Sequence, residues 1–109
     1  KARVYDRLLG DAVVTPAEMP YARHVYTYYV IRTRHRDRLQ TALKEKEIDS
    51  IIHYPIPLHL QPAYRHLGYK EGDFPIAERQ ALEILSLPLF AELKEEQIRE
   101  IVEVVKSVV

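Results

Sequence analysis

The chain has 109 residues, 47% hydrophobic and 29% charged, with three glycines and no cysteine. That is the make-up of one folded domain with a single core, not of a disordered or fibrous chain. Sixteen basic residues balance sixteen acidic ones, so no net field draws it to nucleic acid or an anionic membrane, and the lack of cysteine excludes a disulfide framework and fits a reducing, cytoplasmic compartment. No apolar run approaches the ~20 residues that span a bilayer, and no signal-peptide pattern opens the chain. Because it begins at Lys1 rather than Met, it reads as a piece of something longer.

In chain order, residues 1–9 put Val4, Leu8 and Tyr5 on one helical face, with Gly10 as a natural stop. At under three turns this helix is marginal alone and reads as the tail of a longer one. Residues 11–23 form a connector with one short strand candidate at Val13-Val14. His24 to Thr33 is the strongest strand pattern, with Val25, Thr27, Tyr29 and Ile31 on one face and His24, Tyr26, Tyr28, Val30 and Arg32 on the other. Two substantial faces predict a central strand.

Arg36 to Glu47 is an amphipathic helix with Leu39, Ala42 and Leu43 inward, Asp37 near its start and Lys44 and Lys46 near its end, as the helix dipole favours. A strand from Ile48 to Tyr54 follows, then a loop stiffened by Pro55, Pro57 and Pro62. Pro62 to His66 is one helical turn closed by Gly68. After a polar loop, Pro75 opens a helix with Phe74, Ala77, Ala81 and Ile84 on one side. Leu85 to Leu89 is a short strand, and a last helix starts near Lys94 with Ile98, Ile101, Val102 and Val105 buried and Glu95, Arg99 and Glu103 as a solvent-side ladder. The predicted architecture is α+β: a two-layer sandwich with helices on one face of a small, mainly antiparallel sheet.

The stretch from Ile51 to Tyr64 carries the candidate chemistry. Its prolines remove backbone donors and fix φ, so the chain beyond Tyr54 leaves the sheet. His53 and Tyr54, at a strand end feeding a loop, read equally as a ligand-facing pair or as packing residues. Pro55, Pro57, His59, Gln61 and Tyr64 read as residues that shape the loop. His53 and His59 are six residues apart across the prolines, but no third ligand is signalled nearby, so no metal site is assigned. The basic run Arg32 to Arg38 reads as a solvated corner rather than a nucleic-acid footprint, because acidic helices surround it and no docking motif accompanies it. Tyr26, Tyr28 and Tyr29 read as core rather than as a stacking platform. No phosphate loop, nucleophile elbow or paired-carboxylate spacing is present.

A series of separated motifs keeps its order along the chain: His24-Val25-Tyr26 through Tyr29-Val30-Ile31-Arg32, Ile52-His53-Tyr54-Pro55, Pro57-Leu58-His59, Gln61-Pro62-Ala63-Tyr64 and Leu67-Gly68-Tyr69. Phe74-Pro75-Ile76-Ala77-Glu78, Leu85 to Phe90 and Glu96-Gln97 continue it. In these the chain resembles the C-terminal part of the DegT/DnrJ/EryC1/StrS family of sugar aminotransferases. The resemblance implies a fold-type-I enzyme in which a large domain holds pyridoxal phosphate and a small C-terminal α+β domain closes over the active site. Residues 1–10 would then end the interdomain helix and residues 11–109 would form the small domain. It also implies a homodimer that moves an amino group from glutamate to a keto sugar nucleotide, for surface polysaccharide or secondary metabolites. The cofactor-bearing lysine belongs to the large domain, so the fragment alone is not expected to catalyse transamination. On the same resemblance His53 and Tyr54 approach the sugar nucleotide. A regulatory or protein-interaction module derived from that family is the alternative. Two positions depart from the pattern: Thr27 stands where many relatives have histidine, and Lys94 where they often have Thr or Ser as helix cap, a change that weakens the last helix's start by about 1 kcal/mol.

Overall fold

A computed structural model describes residues 1–109. Helix α1 (Ala2–Leu9) buries Ala2, Tyr5 and Leu9, with Val4 and Leu8 partly buried beside them. The inward stripe therefore centres on Tyr5 rather than on Val4 and Leu8. Gly10, at φ 53°, ends the helix in a left-handed conformation that a side chain would resist. The chain then crosses to Val14, which makes an isolated antiparallel bridge with Arg32.

Strand β1 (Tyr29–Arg32) is shorter than the sequence pattern suggests. Residues 24–28 are irregular: Tyr26 adopts φ 53°, its N–H donates to Nδ1 of His24, and the two rings stack. A residue with positive φ cannot continue a ladder, so Val25, expected on one strand face with Tyr29 and Ile31, is 82% exposed. Strand β1 pairs antiparallel with β2 (Ile84–Leu87) in the register Tyr29↔Leu87, Val30↔Ser86, Ile31↔Leu85, Arg32↔Ile84. Beyond β2, Ile51 bridges Ser86. That bridge is all that forms of the strand expected over Ile48 to Tyr54. The lateral order is thus Val14, β1, β2, Ile51, with β1 flanked on both sides as a central strand.

Helix α2 (Arg36–Glu45) buries Leu39 and Leu43. It stops two residues early because Glu47 turns left-handed (φ 58°), while Ile48 N–H bonds to Leu43 O and Glu47 N–H to Lys44 O. This is the Schellman arrangement, with Glu47 in the place glycine usually takes. Helix α4 (Glu95–Val108) packs on both α1 and α2 and buries the predicted Ile98, Ile101, Val102 and Val105. At its start Lys94 supplies no side-chain cap, but the Gln97 side chain reaches back to accept from Lys94 N–H at 3.0 Å. Half of a capping box thus offsets the missing hydroxyl.

These three helices seal Tyr29, Ile31, Leu85 and Leu87 on one side of the strands, giving a single cluster of 15 buried residues. The two-layer α+β reading therefore holds. Tyr5 and Tyr29 stack within the core at 4.6 Å. Their hydroxyls are satisfied, Tyr5 donating to Pro88 O at 2.9 Å and Tyr29 to Asp6 Oδ1 at 2.6 Å. Burial, and for Tyr29 also the neighbouring carboxylate, pushes both phenols well above their ordinary value of 10.0.

Helix α3 (Pro75–Glu83) runs directly into β2 and buries only Ala81; Phe74 is largely exposed, so the apolar side expected there does not form. The basic run leading into α2, Arg32 to Arg38, also differs from a solvated corner. Arg34 and Arg38 are exposed, but Arg36 is buried and donates from Nη1 to Ala81 O, in the last turn of α3, at 3.1 Å. A guanidinium there meets carbonyls left free by the helix end. Arg32 pairs with Glu83 at 3.7 Å. No helix is long and apolar enough to cross a membrane.

Candidate functional site

Successive strand residues point to opposite faces. With Leu85 and Leu87 turned into the core, Ser86 faces the other side, and that is where the proline loop crosses. Ser86 Oγ lies 2.9 Å from His53 Nδ1, while the Ser86 backbone exchanges both hydrogen bonds with Ile51, at 2.8 and 3.2 Å. Tyr28, immediately before β1, stacks on the His53 ring at 4.1 Å, and Tyr54 meets it edge-on at 5.4 Å. The peptide bond between His53 and Tyr54 is cis. His53 is half-buried, whereas Tyr54 is 69% exposed. A cleft of about 380 Å³ runs between the loop and α3, lined by Tyr54, Ile56, Leu58, Gln61, Ala77 and Gln80 among others.

The rest of the loop is tied down by its own polar groups. Pro57 precedes one 3₁₀ turn (Leu58–Leu60), and Pro62 opens a second (Pro62–Leu67) that Gly68 closes in the left-handed region at φ 80°. The second turn is longer by one residue than the sequence suggests. Gln61 donates from Nε2 to Ile56 O at 3.2 Å. His59 Nε2 lies 2.8 Å from Glu78 Oε1 on α3, and its ring packs edge-on against Phe74. Glu78 also accepts from Gly72 N–H, at 2.9 and 3.0 Å, and from Phe74 N–H at 3.2 Å. The Gly72 bonds, then His59 and Phe74, hold its carboxyl below the ordinary carboxylate value, against an opposing effect of burial. Because a carboxylate only accepts, His59 carries its proton on Nε2. Pro55 and Tyr64 stand exposed on the loop surface.

The structure brings His53 and Tyr54 together with Tyr28 and Ser86, and sends His59 to a separate partner. His53 and His59 share no ligand set, and no group of three His, Cys, Asp or Glu is arranged to hold a metal. Sequence reasoning missed Ser86, Tyr28 and Glu78. The signal for Ser86 was a lone hydroxyl inside Leu85-Ser86-Leu87, opposite in parity to its apolar neighbours. Tyr28, read as core, is 49% exposed and belongs to this cluster; Tyr29 is the core residue of the three, with Tyr26 half-buried against it.

A model of the DegT/DnrJ/EryC1/StrS aminotransferase family matches residues 1–106. The chain belongs to this family. It is 54% identical over 106 residues to a pleiotropic regulatory protein of Geobacillus stearothermophilus, covering 94% of the chain and 28% of that protein. It is 36% identical over 92 residues to a dTDP-3-amino-3,4,6-trideoxy-alpha-D-glucose transaminase of Streptomyces venezuelae, covering 84% of the chain and 24% of the enzyme. Among solved structures, S. venezuelae DesV in complex with a ketimine intermediate superposes with a TM-score of 0.92 at 33% identity, over 97% of this chain and 29% of that one. A family aminotransferase from Brucella abortus gives 0.87 at 36% identity, over 97% and 28%. The fold is therefore that of a segment of fold-type-I aminotransferases, and the chain spans less than a third of the length of these relatives.

Pyridoxal phosphate needs a lysine able to form a Schiff base, which requires a setting that lowers its pKa. Lys1, Lys44, Lys46, Lys70, Lys94 and Lys106 are all exposed, at helix ends or in turns. These lysines do not fit a resident cofactor.

Proposed function

We propose that the chain is the C-terminal small domain of a pyridoxal-phosphate-dependent aminotransferase that moves an amino group from glutamate to a keto sugar nucleotide in the cytoplasm, as a homodimer. Residues 1–10 end the helix joining it to a large cofactor-binding domain. One observation carries this: similarity to sugar transaminases runs along most of the chain yet covers less than a third of their length. The relatives' products suggest amino sugars for polysaccharide or secondary metabolites, and a spore coat polysaccharide protein of Bacillus subtilis is 32% identical over 105 residues. The chain's own part is binding and orientation. Tyr54, exposed at the cleft mouth, and His53, fixed at the sheet edge, supply hydrogen bonds to sugar hydroxyl or phosphate oxygens, and the stiff loop keeps them in place.

The test is glutamate-dependent amination of keto sugar nucleotides by the whole protein. No amination of any such sugar, with cofactor bound, overturns the reading. Within an active enzyme, His53→Ala and Tyr54→Ala raise the sugar-nucleotide KM or lower kcat and leave the glutamate half-reaction intact; an equal loss in both halves identifies them as packing residues.

A second reading has its own support. The Geobacillus relative is named a regulatory protein, and a 38% identical relative from Saccharopolyspora erythraea is named a sensory transduction protein. If the chain belongs to a regulator, the whole protein binds a specific DNA or protein target and aminates nothing.

A further inference from the structure

We propose that Ser86 and Tyr28 are positioning residues that hold His53 as its Nε2–H tautomer and present that N–H as a hydrogen-bond donor to an oxygen of the sugar nucleotide. The last step rests on the role given to His53 above; the tautomer does not.

The argument starts from one buried hydroxyl. Ser86 is only 5% exposed, and His53 Nδ1, at 2.9 Å, is the one hydrogen-bond partner of its Oγ. If Nδ1 carried the proton and donated to Oγ, the serine O–H would be a buried donor without an acceptor, a costlier vacancy than an unfilled lone pair. With the hydroxyl donating to Nδ1, the buried serine proton has its acceptor, and the proton without a protein partner is the one on the less buried imidazole. The neutral imidazole then carries its hydrogen on Nε2, which has no protein partner.

Three contacts fix where that N–H points. Ser86 sits on β2, held by register to Val30 on one side and by its backbone bonds to Ile51 on the other. Tyr28 covers a face of the ring and Tyr54 meets it edge-on, so tilting the ring out of its plane breaks the stacking, and flipping it about χ2 breaks the hydrogen bond to Ser86. A fixed donor suits ligand groups that only accept or can accept: phosphate, carbonyl and hydroxyl oxygens.

Two measurements test this in the intact protein. In histidine-selective 15N spectra at alkaline pH, with His53→Gln identifying the signal, His53 shows a protonated Nε2 and a bare Nδ1. A protonated Nδ1 overturns the proposal whatever the protein does. In steady-state kinetics, Ser86→Ala raises the sugar-nucleotide KM ~5-fold, Tyr28→Ala ~3-fold, neither alters the glutamate half-reaction, and Ser86→Thr restores the loss. In a His53→Ala background Ser86→Ala adds nothing, because its effect passes through the ring. Full additivity of the two overturns the positioning role. If His53→Ala itself spares the sugar half-reaction, presentation to substrate fails together with the binding role given to His53 above, while the 15N spectra still decide the tautomer and amination by the whole protein still decides the function.

Discussion

On the helical side of the strand pair, Tyr29, Ile31, Leu85 and Leu87 are sealed by α1, α2 and α4 through broad apolar contact, and the few polar atoms there, such as the Tyr29 hydroxyl, have partners inside the core. On the opposite side, Ser86, Tyr28 and the proline loop meet through single polar atoms and ring faces, with large side chains such as Tyr54, Leu58 and Phe74 left exposed. One side is held by burial, which is strong and indifferent to direction. The other is held by hydrogen bonds, each modest in net energy but exact about geometry. The contacts that are exact about geometry thus rest on a platform made by burial.

The sharpest way to break this contrast is at Tyr29. Tyr29→Ala removes a fully buried ring and its bond to Asp6, and should destabilise the whole domain by about 3–5 kcal/mol in denaturant unfolding. If the loss is under about 1 kcal/mol, the helical side is not the platform. The same residue makes the core sensitive to alkali. Its folded pKa lies above the ordinary 10.0, so its contribution is complete below that value and is lost as pH rises through and beyond it. Thermal melting should show stability falling above pH 10.0, and Tyr29→Phe should flatten that fall.

On the loop side the effects should stay local. Glu78→Gln weakens the clamp on Gly72, Phe74 and His59, so their amide and ring protons should exchange faster while the melting temperature barely moves. A global loss of stability instead would erase the distinction between the two sides. Since the Glu78 carboxyl is held below its ordinary 4.5, its share of loop order is present above that value and fades as pH falls through the lower folded pKa. The smallest effect belongs to the exposed face of α4, where Arg99 meets Glu95 at 2.7 Å, four residues apart. Arg99→Ala should cost about 0.3–0.5 kcal/mol and less in high salt.

The helices were legible because each rests on local information: a 3.6-residue apolar period for α2 and α4, with Gly10 and Pro75 as punctuation. The strands were legible only where both neighbours exist. His24 to Tyr28 has the composition of a strand, yet its partner β2 is four residues long, and a ladder cannot extend beyond the strand it pairs with. Ile48 to Tyr54 shrinks to one bridge, Ile51 with Ser86.

Sequence by itself determined that this is one α+β domain of an aminotransferase family, with a proline-stiffened loop following His53 and Tyr54, because periodicity, turn residues and motif order are properties of neighbours in the chain. Tertiary structure alone decided that Ser86, 33 residues away, holds the His53 ring, that Tyr28 leaves the core to stack on it, that Glu78 gathers His59 and two backbone amides, and that Arg36 is buried against the end of α3. Those outcomes depend on strand register and on which face each residue takes, and a register is fixed only when the partner strand arrives.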